Sequence, residues 1–302
     1  MKKKTYLFAL MAMALTLGSC SDNENGIGGE TSKYITVSTS IGNMTRVATD
    51  AKGGQTFEEG DEISVYAWTG DATIAPDASE RVVNNAINKL TNGSWVSTPQ
   101  MLWKNNRDKH YFIGVYPISA SAISDLSAGE YAFDETKQTE SDLLVAVNKD
   151  GLSYNVDEPQ TVPLTFTHVM AKLAVNLTYK NQWGGIPTVE KVVVGNAAKE
   201  ATINYLTKVV TPSTTAKEDF SLPEITENTK YVSVIIPQEE VTQLTIVIGG
   251  KNFVYDNGTP FKLESGKITT VNLEVGRDEI KLGDVKITNW EDGSTFSGEA
   301  LN

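Results

Sequence analysis

YITVSTSI, residues 34–41, sets Ile35, Val37, Thr39 and Ile41 in alternation with Thr36, Ser38 and Ser40. Successive side chains of a strand point to opposite faces, so this spacing makes one apolar or β-branched face and one small polar face. Short runs rich in Val, Ile, Thr and Tyr recur along the chain and are broken by Gly, Pro, Asn and Asp every eight to twelve residues or so. They cover Glu62 to Trp68, Tyr111 to Tyr116, Leu143 to Val147, Met170 to Leu177, Val189 to Val194, Tyr231 to Ile236, Leu244 to Ile248, Phe253 to Tyr255 and Ile268 to Val275. The expected class is all-β, built from sandwiches. Helical periodicity is scarce: Val83, Ile87 and Leu90 make residues 80–90 the best short helix candidate, with strand plus loop as the alternative.

Two hairpins are expected. Gly249-Gly250 separates two apolar runs, and Asp256-Asn257-Gly258 separates Lys251 to Tyr255 from Thr259 to Leu263. Both are turn signals, because Gly and Asn tolerate positive φ. Together they predict a meander over 244–263. A boundary is expected at 158/159, within Asp157-Glu158-Pro159-Gln160, leaving units 33–158 and 159–302, each large enough for one sandwich.

The chain holds one cysteine, Cys20. A lone cysteine closes no internal disulfide and offers no ligand cluster for a metal. Ahead of it, Lys2, Lys3 and Lys4 precede an apolar run from Tyr6 to Leu17, a basic start and a hydrophobic core of secretory length. That run falls short of the roughly 20 residues that cross a bilayer. Leu17-Gly18-Ser19-Cys20 resembles the lipobox of bacterial lipoprotein precursors, which implies removal of residues 1–19 and acylation of the Cys20 thiol. At about 0.8 kcal/mol per buried CH₂, two or three acyl chains anchor a protein stably. The acidic, glycine-rich stretch that follows makes 20–32 a tether, resembling the signal that carries Bacteroidetes lipoproteins to the cell surface.

Composition excludes several classes. Losing Lys2, Lys3 and Lys4 leaves 23 basic residues against 38 acidic, a surface with no basic face for phosphates, so nucleic acid is not an expected partner. The only histidines, His110 and His168, lie far apart and in no metal-binding spacing. No nucleophile elbow, phosphate loop or dinucleotide fingerprint occurs. No catalytic residue, cofactor or metal is therefore expected. Both histidines read as packed strand-end residues. The acidic run Glu58-Glu59-Gly60-Asp61-Glu62 lacks the ligand order of a calcium loop and reads as a solvated turn. Of five tryptophans, Trp68 and Trp103 read as core, while Trp95, Trp183 and Trp290 stay open as sugar-stacking platforms. A surface glycan-binding lipoprotein is accordingly the alternative function.

Four stretches carry a family resemblance: TFEEGDEISVY (56–66), YFIGVYP (111–117), SDLLVA (141–146) and LTFTHVMAKL (164–173). In this order and spacing they resemble the fimbrillin family of Bacteroidetes, the pilins of the type V pilus. The resemblance implies two tandem transthyretin-like β-sandwich domains and a structural subunit of a cell-surface fimbria supporting adhesion. It implies partnership with other fimbrial subunits, attachment to the outer membrane through lipid on Cys20, and a host or bacterial surface ligand.

It also implies assembly by strand exchange, in which a protease cuts after an arginine beyond the first strand and another subunit donates a strand to the vacated groove. Carried onto this chain, the departing strand bears Ile35, Val37, Thr39 and Ile41, and the cut falls at Arg46, the only arginine before Arg81. The donor candidate is 284–302, with Val285, Ile287 and Phe296 as its apolar residues. Trp290 falls out of phase there, and family tails of the form I-x-x-W-x-x-G leave open that the segment completes the second domain.

Overall fold

The computed structural model describes residues 33–42 and 56–290, apart from 119, 120, 139, 156, 157 and 159. Cys20, Arg46 and Phe296 lie outside the described residues. Among the described residues nineteen strands make four sheets, confirming the all-β class.

The first sheet has seven strands. Across it run β1 (Thr36–Ile41), β8 (Thr161–His168), β7 (Leu144–Leu152), β5 (His110–Tyr116), β2 (Glu62–Thr69), β3 (Val83–Thr91) and β4 (Ser94–Thr98). Strand β2 is buried from Ile63 to Trp68 because both of its faces are covered. Ile63, Val65 and Ala67 join one core with Ile35, Val37, Phe112, Leu164 and Phe166. Tyr66 and Trp68 point the other way, into the larger core shared with the rest of the chain.

The remaining sheets build that second core. One has the order β13 (Lys217–Leu222), β10 (Val189–Ala198), β16 (Gln238–Ile248) and β17 (Lys251–Leu263). Another runs β14 (Glu224–Thr226), β15 (Lys230–Ile235), β9 (Ala171–Tyr179), β18 (Lys267–Val275) and β19 (Ile280–Asn289). A small sheet of β12 (Val209–Pro212), β11 (Glu200–Asn204) and β6 (Gly129–Ala132) ties the earlier part of the chain to the later. Leu173 and Val175 of β9, Val192 of β10, Ile246 of β16 and Val271 of β18 are all buried in the same cluster.

Three expectations need adjustment. Residues 80–90 form no α-helix: Glu80 closes the 3-10 turn Ala78–Glu80, and most of the rest lie in β3, which pairs with β2 and β4. The register breaks between Val65↔Ala86 and Ala67↔Val83, and Asn85 takes φ 62° in that break. This bulge brings Val83 and Ala86, three residues apart, into the same core. Second, Asp256-Asn257-Gly258 does not reverse the chain but lies within β17. The ladder steps from Gln243↔Asp256 to Val241↔Phe261, five steps of β17 against two of β16. The strand continues past this bulge because Phe261 and Leu263 bury in the same core as Phe253 and Tyr255. Gly249 and Gly250, with φ 59° and 71°, do form the two-residue turn, of the kind that favours glycine at both positions. Third, β8 follows the expected boundary at 158/159 yet joins β7 and β1 of the first sheet, so sheet membership changes between His168 and Ala171.

Candidate functional site

Strand β1 has one backbone ladder. It lies parallel to β8, in register from Thr36↔Thr161 to Ile41↔Phe166. A parallel neighbour cannot be reached by a tight turn, and more than a hundred residues separate the two in sequence. On its other side the sheet curls round until β4 approaches. The seam there carries few backbone bonds: Ile35 N–H donates to Met101 O at 3.0 Å, and Trp103 N–H to Lys33 O at 3.2 Å. Farther along the seam a side chain closes it, with Trp95 Nε1–H donating to Thr39 Oγ1 at 3.0 Å.

The alternation read in YITVSTSI points inward as expected. Ile35 and Val37 are 2% and 6% exposed, while Thr39 and Ile41 are half-buried. Burial of an aliphatic side chain contributes about 1.5–3 kcal/mol, so Ile35 and Val37 hold β1 in place together with its ladder. The polar face is bound laterally: Thr36 and Thr161 hydroxyls lie 3.2 Å apart, and Ser40 Oγ–H donates to Thr165 Oγ1. Just beyond the strand, Gly42 N–H donates to Phe166 O at 2.7 Å. A Cβ at Gly42 would stand 2.7 Å from Thr165 Cγ2, too close for any other residue without a shift.

Beneath Ile41 lies a cavity of about 150 Å³, lined by Ile41, Thr56, Phe57, Asp61, Tyr116, Asp142, Leu144 and His168. Phe57 makes edge contacts with Trp95, Tyr116 and Phe166, at centroid distances of 5.1 to 5.3 Å. The polar lining is internally satisfied. Tyr116 Oη–H donates to Asp61 Oδ1 at 3.2 Å, and burial together with that carboxylate pushes the phenol up to about 12. Glu58 N–H donates to Asp61 Oδ2, and His168 Nδ1–H to Asp142 Oδ1 at 2.8 Å.

Neither histidine is arranged for catalysis. His110 opens β5, fully buried, with its Nδ1–H on Asp108 O and its Nε2 accepting from Lys104 N–H. Desolvation holds it below the ordinary imidazole range. His168 ends β8, stacked on Trp290. The acidic run is a turn, as read: Asp61 N–H donates to Glu58 O, and the Glu59 carboxylate accepts from Asn92 and Gly93 N–H. Among the described residues no group of three or more His, Cys, Asp or Glu is placed to hold a metal.

No tryptophan is fully exposed as an open sugar-stacking platform. Trp68 and Trp290 are buried, and Trp95, Trp103 and Trp183 are half-buried. The Trp183 Nε1–H donates to Val275 O, and its ring meets Phe253 edge-on. The described part of the C-terminal candidate, 284–290, completes a sheet in this chain. Val285 pairs with Val271 and Ile287 with Thr269 along β18, leaving both side chains somewhat over one-third exposed at the sheet edge.

Sequence reading placed the inward residues of β1 and missed their counterparts. Trp95 lies 56 residues from Thr39 and carries no signal of that partnership. Gly42 directly after the alternating run was the one visible mark of a close approach.

A model of the fimbrillin-like family matches residues 45–290. A Bacteroides uniformis protein, Fim1C, which carries the name of a fimbrium subunit, is 24% identical over 97% of both chains. Two crystal structures named for cell adhesion share the fold. One, from Bacteroides uniformis, has TM-score 0.64 and 19% identity, covering 87% of this chain and all of its own. The other, from Bacteroides ovatus, has TM-score 0.66 and 17% identity, covering 85% of this chain and 98% of its own.

Proposed function

This chain belongs to the fimbrillin-like family, and from that premise we propose that it is a structural subunit of a cell-surface fimbria, exported as a lipoprotein precursor and assembled by strand exchange. In this reading acylated Cys20 holds the precursor at the outer membrane, hydrolysis of the peptide bond after Arg46 frees the segment carrying β1, and another subunit supplies the replacement strand. Adhesion to a host or bacterial surface follows from the filament rather than from a pocket in this chain.

The observation that supports it best is the attachment of β1. It is an edge strand with one ladder, its inward side chains complete a core that is otherwise built, and its far seam is held by few bonds. Loss of such a strand opens a row of N–H and C=O groups along β8 together with the sockets of Ile35 and Val37, the arrangement that a donated strand fills. Cleavage at Arg46 takes Cys20 and its lipid away with β1, so anchoring and polymerisation become alternatives for one molecule.

Limited digestion of the purified mature chain with an arginine-specific protease tests the reading. A cut at Arg46 with residues 56–290 left intact, followed by release of residues 33–42 and co-assembly when a second fimbrial subunit is added, is the expected result. Protection of Arg46, or a cut that changes neither retention of residues 33–42 nor assembly, overturns it.

A further inference from the structure

Resting on that strand-exchange reading, we infer that the groove under β1 selects its incoming strand by two features besides apolar alternation: a small oxygen acceptor at the position of Thr39 and a glycine at the position of Gly42. Trp95 sets the first requirement. Its indole N–H is aimed across the seam at Thr39 Oγ1, and its ring is packed against Phe57. An aliphatic residue at that position leaves a partly buried donor unpaired, and an unmade hydrogen bond costs more than a made one returns.

Thr165 sets the second requirement. Its Cγ2 stands where a Cβ at position 42 would project, while its Oγ1 accepts from Ser40 and so resists rotation of the side chain. The fourth inward position is the tolerant one, because the cavity of about 150 Å³ beyond Ile41 leaves space for a larger side chain. The groove therefore takes aliphatic, any, aliphatic, any, hydroxyl, any, aliphatic, glycine.

The chain's own C-terminal segment does not satisfy this pattern in either direction. Setting Gly293 or Gly298 of 284–302 at position 42 puts Lys286 or Glu291 in the place of Ile35 in one direction, and Phe296 or Leu301 in the place of Thr39 in the other. The occupant is accordingly a strand of a different subunit and not the tail of a second copy.

The test uses the mature chain, residues 20–302, with a recognition sequence for a site-specific protease replacing residues 44–50. After cutting, labelled peptides compete for the groove and exchange is followed by fluorescence anisotropy. The peptide of residues 33–42 should enter. Its Thr39→Val form, which keeps the volume and loses only the acceptor, should bind roughly tenfold more weakly. The Gly42→Ala form should bind weakly to the unaltered groove and recover on a Thr165→Ser groove, which lacks Cγ2 and keeps the hydroxyl. A peptide of residues 284–302 should not compete.

Equal entry of the Thr39→Val and Gly42→Ala peptides, or competition by 284–302 as strong as by 33–42, overturns the selection rule while leaving strand exchange intact. If residues 33–42 are never released and no peptide enters, strand exchange itself fails, and the rule fails with it.

Discussion

The imidazole of His168 lies flat on the indole of Trp290, with ring centroids 4.2 Å apart and planes 9° from parallel. His168 ends β8 in the first sheet, and Trp290 follows β19 in the five-stranded one, so the stack joins two sheets through residues 122 positions apart. Lys172, at the start of β9, lies over the same indole at 4.2 Å, and the Trp290 backbone N–H donates to Gly266 O. Trp290→Ala removes a 6%-exposed ring from this junction. The loss should be about 3–5 kcal/mol, and calorimetry of the purified chain should show a melting temperature lower by roughly 6–15 °C.

How much of this was legible depends on how far apart the partners lie. The alternation of Ile35, Val37, Thr39 and Ile41 was readable because it is local, and so was the Gly249-Gly250 turn. Asp256-Asn257-Gly258 was misread because turn residues also suit a bulge, and only burial of Phe261 beyond it decides between the two. The spacing of Val83, Ile87 and Leu90 suggested a helix until β2 and β4 claimed the segment from both sides. The pairs that define the site, Trp95 with Thr39 and Asp142 with His168, connect residues 56 and 26 apart, and no local pattern encodes them. Tertiary context overrides local preference most readily in strands.

Gly114 explains part of the YFIGVYP stretch. A Cβ there would meet Phe166 Cζ at 2.6 Å and Leu164 Cδ1 at 3.2 Å, both side chains of the core that β1 closes. Gly114→Ala should therefore cost about 1–3 kcal/mol by overpacking, seen as a lower midpoint in urea. Trimming the neighbour should recover part of that loss, so Gly114→Ala with Phe166→Leu is expected to be more stable than the sum of the two single variants predicts.

Lys172 makes stability depend on pH in the alkaline range. Burial pulls its ammonium down to about 8 from 10.5, against the opposing pull of Asp142. Between those values the unfolded chain binds more protons than the folded one, so stability rises with pH across the window and the full cost is borne below it. That cost is up to about 3 kcal/mol, less what the Trp290 face returns to the cation. Lys172→Met should raise stability at pH 7 and abolish the rise between pH 8 and 10, measured by denaturant titration at several pH values.

On the acid side the responsible group is His110, held neutral by desolvation inside the first sheet. Its Nδ1–H is committed to Asp108 O and its Nε2 lone pair to Lys104 N–H, so protonation has to break the second bond as well as charge a buried ring. The unfolded imidazole takes its proton near pH 6.5, while the folded one does so only at lower pH. The unfolded chain thus binds more protons below that point, and stability falls as pH drops from about 6.5 through the folded value. His110→Gln keeps an acceptor for Lys104 N–H and cannot titrate. Its stability should change less than that of the unaltered chain between pH 6.5 and 5, even if it starts lower at pH 7. Denaturation midpoints for both proteins across that interval decide the matter, and parallel curves would assign the acid sensitivity to carboxylates instead.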